Sequence, residues 1–282
     1  MTVRVLLKKA NEMRVQEHRL KPRFRLQTIK EVHEFIHDRE LVSFLGGNEL
    51  PGFISAVLGR SWRPSKKGFA GWMDWWSVRI SGQPIAQVAR EIEGREDILA
   101  TRLFRQTKTF VSSKLWPTLD PIIKHQGDLA RKGGIFSDLE RKVFRTIEEE
   151  ASIRTDQLRK ALKLEAKQNN SNFHRALSNL ENYSLIVGVE DPHPEKHLHA
   201  NIWRTWASRT GETVSDNGLS YERAIASLLE RTIHACVLAR VDQVEKWFPW
   251  GKDMKGAETE LIDQTRIIKA GSYLVSPLVN PQ

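Results

Sequence analysis

Between Phe173 and Leu180 the apolar residues Phe173, Ala176, Leu177 and Leu180 recur at helical spacing, in the stretch "QNNSNFHRALSNLEN" (168–182). The opposite side of that helix collects Ser171, Asn172, Arg175, Ser178 and Asn179, with Glu181 on a flank. Asparagine is roughly 0.5–0.7 kcal/mol per residue worse than alanine in a helix. A helix holding several asparagines therefore depends on burial of its apolar stripe, or uses the amides to cap or to bind.

The neighbouring pattern is equally regular. "SDLERKVFRTIEEE" opens with Ser137 three residues before Glu140, the signature of a capping box, and carries Leu139, Val143, Phe144 and Ile147 on one stripe. "SIRTDQLRKAL" predicts a brief extended piece and a second helix capped by Thr155, with Leu158, Ala161 and Leu162 inward. After the Asn-rich helix come two β-rich runs, "SLIVGVED" and "HLHANIWR", joined by a polar loop at 191–196. Helix, short strand, helix, helix and a two-stranded wing is the winged-helix order, a variant of helix-turn-helix.

Upstream, Thr28 can cap a helix bearing Ile29, Val32, Phe35 and Ile36. A Gly46-Gly47 loop then precedes an apolar helix over 53–58. The run "RLFRQTKTFVSSKLWPTLDP" predicts two short strands around Gln106-Thr107-Lys108. A helix begun by Ser112 or Ser113 follows, with Pro117 in its first turns. Gln126 to Gly134 reads as a Gly-rich linker, and Ser208 to Gly218 as a second, polar one. Downstream lie an apolar helix around Ile225, Leu228, Leu229 and Ile233, two short helices and a final hairpin. The expected organisation is a basic arm (1–25), then blocks at 26–134, 135–210 and 218–282. The class is mainly α with short β hairpins.

Charge adds a partner to this outline. The chain has 282 residues and a formal net charge of +9. Residues 1–135 hold 24 Lys/Arg against 14 Asp/Glu, and the remainder 20 against 21, so the whole surplus lies in the first half. It is densest in the arm, which includes Arg4, Lys8, Lys9, Arg23 and Arg25. Such an arm binds polyanions or is a solvated tail. Double-stranded DNA is the expected partner. The contacts would come from Ser171, Asn172, Arg175, Ser178 and Asn179, supported by Lys167, Lys196, Arg23 and Arg25. Asn and Arg can bond base edges in bidentate fashion, and Arg and Lys can bind phosphate.

Other chemistry is sparse. The single cysteine, Cys236, lies in an apolar run and reads as a small core residue. No stretch approaches membrane-span length and no secretory apolar core follows Met1, so a cytoplasmic protein is expected. No Gly-rich nucleotide loop implies an organic cofactor. His193, His197 and His199 lack a completing ligand set, so no metal site is assigned. Trp72, Trp75 and Trp76 could stack bases, although a tryptophan cluster beside apolar segments reads first as core.

Taken together, "GNELPGFISAVLGR", "RLFRQTKTFVSSKLWP", "LERKVFRTIEEEASIRTDQLRKAL", "NNSNFHRALSNLENYSLIVGV" and "HANIWRTW" resemble the AlkZ-related winged-helix proteins. These are relatives of the AlkZ/YcaQ DNA glycosylases, which excise alkylated or crosslinked bases. The resemblance spans about residues 28–280. It implies tandem winged helices, the C-terminal block being a degenerate copy, and a role in DNA repair. The enzymes carry a Gln-x-Asp or Gln-x-Gln motif in an apolar N-terminal context. Here the one Gln-x-Asp is Gln126-Gly127-Asp128, in a different context, while Gln27 has Ile29 at the partner position. The resemblance therefore leaves two functions besides DNA binding: a glycosylase with a displaced catalytic group, or a scaffold whose winged helices pack on other proteins.

Overall fold

The computed structural model describes residues 2–46, 49–63, 75–191, 201–211, 214 and 218–279. Helix α1 (Val3–Glu17) leads to α2 (Ile29–Arg39), strand β1 (Leu41–Ser43) and α3 (Phe53–Leu58). The short strands β2 (Arg79–Ile80) and β3 (Gln83–Pro84) pair before α4 (Ile85–Glu93). The hairpin β4 (Ile98–Phe104) and β5 (Thr107–Ser112) joins β1 in an antiparallel sheet of order β1-β5-β4. Thr28 and Glu31 form a full capping box at the start of α2, which buries Val32, Phe35 and Ile36.

Helix α5 (Trp116–Lys132) then runs straight through the expected linker. Gln126, Gly127 and Ala130 are buried, and the chain leaves the helix only at Gly133, where φ is +97°. Leu119, Ile122 and Ile123 supply enough buried surface to offset the roughly 1 kcal/mol cost of a mid-helix glycine.

The middle of the chain follows the expected order. Helix α6 (Asp138–Glu150), β6 (Ile153–Arg154), α7 (Thr155–Ala161), α8 (Asn170–Asn182), β7 (Ile186–Glu190) and β8 (Asn201–Thr205) make three helices and a sheet of order β6-β8-β7. The Ser137–Glu140 capping box is formed. Thr155 does not cap α7. Its hydroxyl instead donates to the Asn201 carbonyl (3.0 Å) and accepts from the Trp203 indole (2.9 Å), tying α7 to β8. Lys196, His193, His197 and His199 lie outside the described residues, as do Gly47 and Trp72.

After α9 (Trp206–Thr210) come α10 (Tyr221–Cys236), β9 (Leu238–Arg240), α11 (Gly251–Asp263), β10 (Ile268–Ala270) and β11 (Tyr273–Val275). The last three strands form a sheet of order β10-β11-β9, so the final hairpin gains a third strand. Cys236 is fully buried in the main core, and burial pushes its thiol pKa up.

One apolar core runs from Leu41 and Phe104 through Phe144, Phe173 and Leu180 to Leu228, Trp247 and Leu274. A second fills the N-terminal block around Phe35, Phe53, Ile85 and Phe110. Trp75 belongs to that second core, edge-on to Phe44 at 5.7 Å, while Trp76 beside it is exposed.

Two docking features join distant segments. The turn between β4 and β5 sits at Arg105-Gln106, one step earlier than expected, and both residues have positive φ (49° and 57°). A two-residue hairpin turn requires such angles, which usually call for Gly or Asn. Arg105 is anchored by its backbone N–H on the Trp247 carbonyl (2.7 Å), and by its guanidinium on Glu49 (2.7 Å) and Gln243 (2.9 Å). The basic N-terminal stretch, for its part, is a docked helix. Leu6 and Ala10 of α1 pack with Val237, Ala270, Val275 and Val279, and Arg39 pairs with Glu17 at 2.8 Å. Buried His18 donates Nε2–H to the Ala235 carbonyl (3.0 Å). Burial above all, with Arg14 adding to it, lowers its pKa to about 3, so the ring is neutral.

Candidate nucleic-acid interface

Helix α8 lies between two environments. Its inner stripe, Phe173, Ala176, Leu177 and Leu180, is buried as the spacing predicts. No side chain caps its start: Asn169 occupies the N-cap without a side-chain bond, after a 3-10 turn at Lys167–Asn169. Asn170 Oδ1 is buried without a hydrogen-bond partner among the described residues.

The expected contact residues divide along the helix. Lys167 and Gln168 are exposed on the preceding 3-10 turn, and Ser171, Asn172, His174 and Arg175 on the N-terminal half of α8. Arg175 Nη2 reaches only Asn172 Oδ1 at 3.5 Å, and among the described residues it has no carboxylate partner. Ser178 is half-buried. Asn179 turns inward and donates Nδ2–H to Glu140 Oε1 at 2.7 Å. Its amide nitrogen is thus engaged by α6 and is not free for a partner.

The C-terminal end of α8 rests on the N-terminal block. Thr101 on β4 donates its hydroxyl to the Glu181 carbonyl (3.1 Å), and Arg102 approaches the Glu181 carboxylate at 3.4 Å. Burial raises the Glu181 pKa to about 7, against the opposing pull of Arg102 and Lys108. The helix therefore offers its first two turns outward and commits its last to the protein.

Arg23 and Arg25 are exposed in and just after the 3-10 turn Pro22–Phe24, where Arg23 lies 4.6 Å over the Phe24 ring. The segment is held by Leu26, whose N–H bonds the Ala56 carbonyl (3.1 Å) and whose side chain enters the second core. These arginines thus sit on a different core from α8.

Gln126 and Asp128 do not form a pair. Two residues apart on α5, they point about 200° from each other. Gln126 is buried, whereas Asp128 is exposed and accepts from Arg131 Nη1 at 3.0 Å. A surface cavity of about 260 Å³ beside Asp128 is lined by Phe144, Leu185 and Trp206, but not by Gln126. Gln27 is exposed, and its backbone N–H donates to Glu31 (2.7 Å).

One cluster escapes a reading along the chain. His33 and His37, four residues apart on α2, both turn Nε2 to Asp97 Oδ2, at 2.7 and 3.1 Å. Desolvation pushes the Asp97 pKa up, but the bonds from His33 and His37 outweigh it and hold the carboxyl below its ordinary range. The i, i+4 histidine spacing was visible in the sequence, whereas Asp97 lies 64 residues from His33.

The architecture, mixed helix and small antiparallel sheets, is shared with a solved structure, the Streptomyces sahachiroi DNA glycosylase AlkZ. The TM-score is 0.55 at 12% identity, covering 96% of this chain and 69% of that one. Likeness at that identity is one of fold. The AlkZ-related family model matches residues 27–249, and the chain belongs to this family. Comparison with curated proteins gives no match. No helix among the described residues is long and apolar enough to cross a membrane.

Proposed function

We propose that this chain is a duplex-DNA-binding protein of tandem winged-helix architecture, with blocks at 26–134, 135–210 and 218–282, acting on damaged DNA in the cytoplasm. The observation that carries the reading is the outward half of α8. There Ser171, Asn172 and Arg175, with Lys167 in the turn just before, are exposed without carboxylate partners among the described residues, on the third helix of a helix–strand–helix–helix–strand–strand unit. That helix is the one a winged helix lays in the major groove, with its N-terminal residues toward the bases. Ser178 and the wing residue Lys196 flank the contact, and Arg23 and Arg25 meet phosphates from the N-terminal block. Asn179 serves to anchor the helix. Family membership and the likeness to a DNA glycosylase support the partner.

Base excision is not assigned to Gln126 and Asp128, because they face apart. The test is a duplex titration at about 100 mM salt, on undamaged and alkylated DNA, with free base measured in the same samples. The triple variant Ser171→Ala/Asn172→Ala/Arg175→Ala should bind at least tenfold more weakly with an unchanged thermal transition. Equal binding by the variant removes α8 from the interface. No affinity of the unaltered protein for any duplex would favour a protein-binding scaffold instead.

A further inference from the structure

The His33–His37–Asp97 cluster has the make-up of a metal site. Helix α2 places both imidazoles on one side, since residues four apart lie one above the other. The strand register supplies the third group. Ile98 pairs with Ser112, and the Ser113 N–H bonds the Asp97 carbonyl (2.9 Å), which fixes Asp97 at the open end of the β4–β5 hairpin. The last turn of α2 is tied to the same end, because the Ser112 N–H bonds the Glu40 carbonyl (2.9 Å).

Three donor atoms consequently converge. His33 Nε2 is 2.7 Å and His37 Nε2 3.1 Å from Asp97 Oδ2, and the two nitrogens are 3.2 Å apart. Zinc binds nitrogen and carboxylate oxygen at about 2.0–2.2 Å, so tetrahedral donors sit about 3.3 Å from one another. Each separation here needs to widen by no more than about 0.6 Å to receive the ion.

The groups around these donors already have the placement that metal ligands require. His37 Nδ1 is 2.6 Å from the buried Ser112 hydroxyl, which can accept Nδ1–H and leave Nε2 free to ligate. Asp97 Oδ1 is approached by Arg95 Nε at 3.4 Å, which turns Oδ2 toward the histidines. The Arg95 charge is substantially exposed and so screened by solvent and salt. The side chains of His33, His37 and Asp97 keep 24%, 15% and 38% of their surface, which leaves one side of the site open to water.

We propose that His33, His37 and Asp97 bind one divalent transition-metal ion, Zn²⁺ foremost, with Ser112 as a positioning residue and the remaining coordination position open to water. Two imidazoles with one carboxylate select such an ion over Mg²⁺ or Ca²⁺, which prefer all-oxygen sites. The bound ion would tie α2 to the β4–β5 hairpin. The inference is independent of DNA binding.

The test uses the full chain, freed of metal by chelation and titrated with Zn²⁺ against a chromophoric chelator. Co²⁺ serves in parallel as an absorbing probe. One equivalent should bind, raise the thermal transition and give Co²⁺ d–d bands. His33→Gln and the isosteric Asp97→Asn should each weaken binding at least tenfold, and Ser112→Ala should weaken it by about 10–100-fold. The triple variant His193→Ala/His197→Ala/His199→Ala should keep the equivalent. The proposal is overturned if the unaltered chain binds no Zn²⁺. It is equally overturned if His33→Gln/His37→Gln binds as tightly as the unaltered chain, or if the equivalent is lost with the wing histidines alone. Circular dichroism of each variant confirms that losses reflect ligation.

Discussion

Asn179 on α8 and Glu140 on α6 are joined by a 2.7 Å hydrogen bond, from the amide Nδ2 to Oε1. The other oxygen of the same carboxylate accepts the Ser137 N–H at 2.6 Å and the Ser137 hydroxyl at 2.9 Å. One nearly buried carboxylate thus caps the first helix of the middle block and tethers its third.

Asn179→Ala removes this tether and leaves Glu140 Oε1 without its donor. The expected cost is about 1–3 kcal/mol, read from urea denaturation. Duplex affinity should stay within twofold. Asn172→Ala should show the converse, near-neutral stability and weaker binding. A loss of affinity in Asn179→Ala with no loss of stability would return this residue to the interface.

Glu181 makes stability depend on pH in an unusual direction for a carboxylate. Its folded pKa, about 7, lies above the unfolded value near 4.5, so the folded state holds the proton more tightly. This contribution is fully present below about pH 4.5 and is lost as pH rises through 7. Glu181→Gln should therefore be more stable than the parent at pH 8, by at most about 3 kcal/mol, with the gap closing toward pH 4.5. Thermal transitions of both proteins across this range would check it. A gap that does not vary with pH would rule out the proton linkage.

The docked α1 separates two properties that a disordered arm would have combined. Leu6→Ala opens the contact with Val237, Val275 and Val279 and should cost about 2–4 kcal/mol. Replacing exposed Arg4, Lys8 and Lys9 by Gln should leave the transition unchanged. It should flatten the plot of log affinity against log salt by about 0.9 per phosphate contact removed. Deleting residues 1–25 would mix both effects, because it also removes the buried His18–Ala235 bond.

Gly188 on β7 lies under the Trp203 ring of β8. An added Cβ would stand 2.7 Å from Cζ3 and 2.9 Å from Cη2, inside contact distance. Gly188→Ala should destabilise the chain by about 1–3 kcal/mol and shift the Trp203 fluorescence environment. Trp203→Phe, which removes Cζ3 and Cη2 from that position, should recover part of the loss in a double variant.

The middle block was legible because its signals are local: a Ser–Glu capping box, an apolar stripe and two β-rich runs, each complete within about fifteen residues. Signals that depend on distant partners were not. In "HQGDLARKGG" the glycines suggested a linker, yet Ala130 and Gln126 are buried and the helix persists to Lys132. Residues 1–25 showed charge plainly, but Leu6 and Ala10 acquire meaning only from Val237 and Ala270, more than 220 positions away. Helical spacing alone places Ser171, Asn172 and Arg175 on the side of α8 where they are exposed. At Asn179 a shallow rotation toward Glu140 decides between solvent and protein, and helical spacing does not resolve it.

The hairpin tip at Arg105 reaches the carbonyl of Trp247, and Phe104 beside it lies 5.7 Å from the Trp247 ring. The same hairpin holds the end of α8 through Thr101. A strand pair from the N-terminal block therefore touches both the middle block and the C-terminal block. Excised on its own, the middle block would lose this support from β4 and should melt at a lower temperature than the same residues do in the full chain. Fastened in this way, the first two turns of α8 would meet the duplex proposed as its partner from a support that the hairpin ties to the rest of the chain.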